Sequence, residues 1–215
     1  MHAKKTNKTK VLAVVLALVL VIGCAAGATL AWLKVETTPV VNTFTYGDIN
    51  IDLKEHKLQA DGTLGSELVT ENKDYKMVPG ITLPKDPFVT VVKDSEACWL
   101  FVKIVAENGV ALKTDGNYPE GTYLVYEVDG DWTPLAGYAG VYYIKVDADT
   151  AKAGNTYQVL ANDQVKVLET VTKTMMEEIK NGDPAPKLTF TAYAIQLANA
   201  EGEFAVVDAW KEIGA

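Results

Sequence analysis

The chain has 215 residues, with 28 acidic side chains against 20 basic ones, a formal charge of −8, and every base is lysine. Without arginine it lacks the planar fork that grips phosphates and guanine edges, which argues against nucleic acid as a partner. Two histidines (His2, His56), two serines (Ser66, Ser95) and two cysteines (Cys24, Cys98) argue against a hydrolytic triad, a His-rich metal centre or a disulfide framework. No cofactor, metal or enzymatic activity is expected.

Lys4, Lys5, Lys8 and Lys10 precede an uncharged run from Val11 to Leu33 whose first half is solidly aliphatic and whose second half is rich in small residues. A basic start, an apolar middle and a small-residue end form a secretory signal. Three outcomes are compatible with it. Cleavage after Ala31 releases a chain beginning at Trp32. Val21-Ile22-Gly23-Cys24 is alternatively a lipobox, leaving Cys24 lipidated. Thirdly, the 23 apolar residues Val11–Leu33 are long enough to remain as a membrane anchor. In each case the lysines stay inside and residues beyond 33 lie outside the cytoplasm. Cleavage at Ala31 leaves 16 lysines against 28 acids, or −12, a surface suited to solubility and not to anionic membranes.

Period-two alternation dominates the chain beyond residue 47. Ile49, Ile51 and Leu53 share one face against Asp48, Asn50, Asp52 and Lys54, a half-buried strand. Asp61-Gly62 marks a turn, Tyr75–Val78 reads as extended, and Phe88–Lys93 comes after the Pro84 and Pro87 bracket. Cys98–Glu107 is the strongest strand, with Cys98, Leu100, Val102 and Ile104 on one face and Trp99, Phe101, Lys103 and Val105 on the other. Asn108-Gly109 predicts a tight turn. Thr122–Asp129 and Val141–Val146 read as a hairpin pair. Tyr157–Leu160, Gln164–Leu168 and Leu188–Leu197 complete the strands. Helix is scarce: Thr170–Lys180, stopped by Asn181-Gly182, and a last turn or two over Asp208–Ile213 with Asp208 as cap. Ten to twelve short strands without a linker predict one antiparallel, jelly-roll-like β-sandwich over 48–215, after a signal helix (1–31) and a leader (32–47).

Chemistry-bearing residues are few. Cys98 lies mid-strand on an apolar face, as a buried small hydrophobe does. Ser95 sits in a turn, and no motif pairs it with His56. Asp129-Gly130-Asp131 and Asp147-Ala148-Asp149 cluster oxygens without completing a calcium-ligand pattern, so they read as acidic turns. Leu83-Pro84-Lys85-Asp86-Pro87 falls short of a sortase signal. Trp132, Tyr142 and Tyr143 would serve as a sugar platform if exposed, although aromatics on sheets commonly form core or cross-strand pairs.

One set of motifs is not generic. Gly27-Ala28-Thr29-Leu30-Ala31-Trp32 runs into Asn42-Thr43-Phe44-Thr45-Tyr46-Gly47 and an alternating strand. Val78-Pro79-Gly80, Lys85-Asp86-Pro87-Phe88-Val89-Thr90-Val91, Trp99–Ile104, Ala192-Tyr193-Ala194-Ile195-Gln196 and Ala209-Trp210 come next, in order. The series resembles the TasA/camelysin group of biofilm matrix proteins, which Gram-positive bacteria export with SipW-type signal peptides. The resemblance covers both ends and the first half well, and 108–187 loosely. It implies a jelly roll, a dedicated signal peptidase, secretion to the extracellular matrix or cell surface, and fibres in which one subunit's N-terminal strand completes the next subunit's sheet. Partners would be further copies or related matrix subunits. The metallo-endopeptidase label that some members carry is undermined by the lone exported imidazole, His56.

The segment freed by cleavage suits that role physically. Val35, Val40, Val41 and Phe44 give Trp32–Thr45 apolar side chains, and an extended segment docks on a sheet edge through its main chain. Burying those four contributes about 6–12 kcal/mol at most. Pro39 restricts the segment to an edge or a bend. Equally open is that 32–45 forms the first strand of its own sandwich or a flexible leader; the alternative function is a monomeric cell-surface binding module or adhesin using Tyr142, Tyr143 and Trp132, lipid-anchored at Cys24.

Overall fold

Cys98–Glu107 forms strand β5, and its neighbours build the fold outward from it. In the structure, a computed structural model that describes residues 48–73, 75–199 and 202–213, β5 lies between β12 (Lys187–Gln196) and β9 (Val141–Val146). Strand β8 (Thr133–Pro134) closes the far side of that sheet. Facing it are two further four-stranded sheets. One joins β1 (Ile51–Leu58), β2 (Leu64–Val69), β4 (Phe88–Val91) and β10 (Asn155–Gln158) in the order β10-β4-β1-β2. The other joins β3 (Thr82–Pro84), β6 (Val110–Leu112), β7 (Leu124–Val128) and β11 (Leu160–Val167) in the order β3-β11-β7-β6. A ribbon of β13 (Ala198–Asn199) and β14 (Gly202–Glu203) completes an all-β sandwich in which, among the described residues, only the β6–β7 pairing is parallel.

Contacts divide the chain between Thr45 and Tyr46, and the unit from Tyr46 to Ala215 holds everything described. The expected signal segment 1–31, its cleavage point Ala31–Trp32 and the lipidation site Cys24 lie outside the described residues. So does the leader 32–47, with Val35, Val40, Val41 and Phe44.

Alternation explains the main core. Cys98, Leu100, Val102 and Ile104 project from one face of β5 onto Val89 and Val91 of β4 and Leu160, Val165 and Val167 of β11, all nearly inaccessible. The opposite face of β5 is buried too. Trp99 and Phe101 pack under helix α3 (Val206–Ile213) through Ala209 and Trp210. Covered on both sides, β5 reads as a near-continuous apolar run.

Several local expectations are corrected by the structure. Thr122–Asp129 and Val141–Val146 are not a hairpin: β7 pairs with β6 and β11, whereas β9 pairs with β5 and β8, in a different sheet. The intervening chain leaves one layer for the other by way of Trp132, whose buried indole donates to the Gln158 carbonyl at 2.7 Å. Tyr75–Val78 joins no ladder. Helix α1 (Ala148–Ala153) stands where the composition suggests an acidic turn. Asp147 is its N-cap, accepting from Thr150 N at 2.9 Å, and Gly154 at φ 79° ends it. Helix α2 (Lys173–Lys180) starts at Thr172 as cap, and Asp208 lies inside the first turn of α3 instead of capping it. There Asp208 faces the positive end of the helix dipole and pairs with Lys211.

Candidate functional site

Strand β12 is ten residues long and, among the described residues, pairs on one side only, with β5 over its whole length. A long strand with a row of unpaired peptide groups is a template for another strand. The other edges are shorter: six residues at β2, four at β10, three at β3 and β6, two at β8.

Beside β12 the sandwich is incompletely filled. A cleft of about 840 Å³ opens between β12, β1 and the β3-β11-β7-β6 sheet. Its walls are side chains of core type left half-buried, among them Leu53, Met77, Val110, Leu188 and Phe190. The inner face of β12 changes along its length from the bulky Leu188 and Phe190 to the small Ala192 and Ala194. The cleft has the apolar walls and free main-chain edge that an added strand requires.

Charged groups sit at its base. Lys85 Nζ lies 2.8 Å from Glu55 Oε2, with 12% and 8% of the two side chains exposed. The rings of Tyr75 and Phe190 lie 5.3 and 5.5 Å from the same nitrogen. Burial, reinforced by the carboxylates of Glu55 and Asp86, holds the Tyr75 hydroxyl far above its ordinary range.

A second polar knot lies near Lys85. His56 Nδ1 is 2.5 Å from Asp86 Oδ2, and His56 N donates to Asp86 Oδ1 at 3.0 Å. Asp163 is close by. Burial, then the charges of Asp86 and Asp129, raise its carboxyl above the usual range, with His56 opposing them. Asn162 and Asp163 are consecutive left-handed residues, φ 56° and 53°, where the β11–β7 register slips. That bulge turns the Asp163 carbonyl to accept from Lys85 N at 2.8 Å.

Other residues that stand out in the sequence are structural. Cys98 is fully buried, and its thiol is pushed up to about 11 by burial. Ser95 Oγ donates to Val92 O at 2.6 Å, accepts from Asn50 N at 3.2 Å and makes no bond with His56. Asp129 closes a turn through Asp131 N. Trp132 and Tyr142 are buried in the core, and Tyr143 packs edge-on against Trp99 with centroids 5.6 Å apart. The three do not share an open platform.

The Lys85–Glu55 pair is absent from the sequence expectations, although a signal for it exists. Ile49, Ile51 and Leu53 mark the inward face of the first strand, and the next inward position is Glu55, an acid that needs a buried partner. No family model matches the chain, and neither the curated proteins nor the solved structures provide a match.

Proposed function

We propose that the protein is a secreted structural subunit of an extracellular matrix, related to the TasA/camelysin group and assembling head to tail into fibres. The leader, Trp32–Thr45 after cleavage at Ala31, would leave its own unit and dock along β12 of the next copy. Its Val35, Val40, Val41 and Phe44 side chains would enter the cleft. The single observation that carries this reading is the ten-residue β12 edge, unpaired among the described residues and flanked by a cleft of half-buried core side chains. The ordered motifs from Gly27 to Trp210 support it independently. A heterologous contact of this kind need not close and can propagate as a filament. While residues 1–31 remain attached, the leader is held back and growth is blocked.

Electron microscopy of purified 32–215 beside a chain beginning at Thr45 tests the reading. Filaments from the longer chain alone are expected; equal filament formation by both eliminates the leader as the connecting strand. N-terminal sequencing of the exported form adds a second check, because a start at Cys24 in place of Trp32 would identify a lipoprotein.

A further inference from the structure

The base of the cleft holds groups that strand docking does not use. Lys85 and Glu55 stand thirty residues apart in the chain and touch at 2.8 Å, about nine-tenths of each side chain removed from solvent. Taking both charges out of water costs several kcal/mol per ion, and their attraction offsets this only where the geometry and the remaining hydrogen bonds are good. The Tyr75 and Phe190 rings flank the ammonium and offer it π faces in place of water.

A second observation sits beside the first. The Tyr75 hydroxyl is buried and makes no hydrogen bond of good geometry. The Asn72 amide next to it is committed to β1, donating to His56 O and accepting from Leu58 N, each at 2.7 Å. Burial, then the Glu55 and Asp86 carboxylates, keep the proton on the Tyr75 hydroxyl, with the neighbouring Asn72 side chain opposing them, and its oxygen makes no other contact of hydrogen-bonding geometry. A buried donor left in that state costs free energy.

An amine and a carboxyl group held in contact and enclosed by aromatic rings are the components of amide formation. We propose that Lys85 and Glu55 condense into an intramolecular isopeptide bond. The ammonium passes one proton to the carboxylate, and the neutral Nζ attacks Glu55 Cδ. The C–OH bond then breaks, that oxygen leaves as water with a second proton from nitrogen, and Nζ keeps one hydrogen and a new C–N bond. No electrons are transferred and no cofactor is required. The finished amide removes two buried charges. It would tie β1 to the β3–β4 connection as a disulfide ties other extracellular chains, through a closed loop that the unfolded state also carries. The bond does not depend on fibre assembly and forms within one copy.

Intact mass spectrometry of the purified, folded chain tests this. The expected mass is about 18 Da below that of its own sequence, the loss of one water. A proteolytic map should then show the Lys85 peptide joined to the Glu55 peptide. Lys85→Arg keeps the positive charge without a condensing amine and should restore the full mass. Glu55→Gln should still close, releasing ammonia and losing about 17 Da. If Lys85→Arg does not fold, the wild-type peptide map still decides. Folded wild-type protein that keeps its full sequence mass after prolonged incubation overturns the proposal and leaves Lys85–Glu55 as an ordinary buried ion pair.

Discussion

The indole of Trp210, on α3, lies 5.2 Å from the ring of Phe101, at the middle of β5, with their planes inclined at 49°. Tyr193 and Tyr138 meet the same indole edge-on, at 5.4 and 6.3 Å. This aromatic group is why the second face of β5 tolerates Trp99 and Phe101: a short terminal helix covers them and excludes water. Trp210→Ala should cost about 3–5 kcal/mol, as large aromatic truncations in cores do. Urea unfolding measures it, with Trp210→Phe expected to lose clearly less.

Gly109 occupies φ 78° directly after Asn108 at φ 54°, in the turn that leaves β5. A Cβ there would overlap the Gly121 carbonyl oxygen and lie 2.5 Å from Tyr123 Cδ2. Gly109→Ala therefore combines left-handed strain with a backbone clash, and a loss of about 2 kcal/mol or more is expected. Gly62, at φ 86° with open space around it, is the comparison: Gly62→Ala should show the strain alone, about 1 kcal/mol. Paired urea titrations of the two variants separate the clash from the strain.

Alkaline pH should destabilise the fold. Burial raises the Cys98 thiol from 9.0 to about 11, and the Tyr126 hydroxyl from 10.0 to about 12, with Tyr142 adding to the second shift. Both groups stay neutral in the folded chain after the unfolded chain has begun to ionise. Their contribution is therefore full below pH 9 and lost as pH rises from about 9 to 12, on the order of 2–3 kcal/mol for each. Melting temperature against pH should fall across that window, and Cys98→Ala should flatten its lower part.

Asp163 follows the same rule in the acid range. Its raised carboxyl means that the fold favours the protonated form, so the stability it supplies is present at low pH and lost as pH rises through its folded value. Asparagine resembles the protonated acid and tolerates the left-handed backbone at this position. Asp163→Asn should raise stability at pH 7 by about 1 kcal/mol or less, and the gain should vanish near pH 3. Thermal unfolding at the two pH values checks both signs.

Leu188 faces the cleft from the start of β12 and is only half-buried. Leu188→Lys should leave the unit folded, its melting point lowered by a few degrees, because the long stem can reach solvent. The proposed strand would then have to cover a charge, and filaments seen by microscopy should disappear. Unchanged filaments would place the connecting surface elsewhere.

How much of the architecture is readable in the sequence differs from element to element. The bounds of β5 and β9 come from unbroken β-branched and aromatic runs between turn residues, and β12 from the same signal within a residue of each end. Cys98 reads as core because its alternation partners are all aliphatic. Partner choice is another matter. Thr122–Asp129 and Val141–Val146 look alike in composition, and nothing local records that the chain changes layers at Trp132. Helix α1 escapes notice because six residues with one buried alanine carry almost no periodic signal, although Asp147 and Gly154 bracket it as caps. The cleft is invisible for a related reason. It is formed by β1, β12 and the β3-β11-β7-β6 sheet together, and a missing neighbour has no sequence of its own.

The double covering of β5 also sets a timetable. Its residues are synthesised near the middle of the chain, yet the strand pairing at its edge and the helix over its outer face come from residues 187–213. Until those have emerged from the ribosome, this apolar strand has neither its β12 partner nor the cover of α3, and loop closure over so many residues is slow. A chain built this way cannot close that edge or cover that face until residues 187–213 have been made, so β5 passes a long interval of synthesis with its outer side exposed.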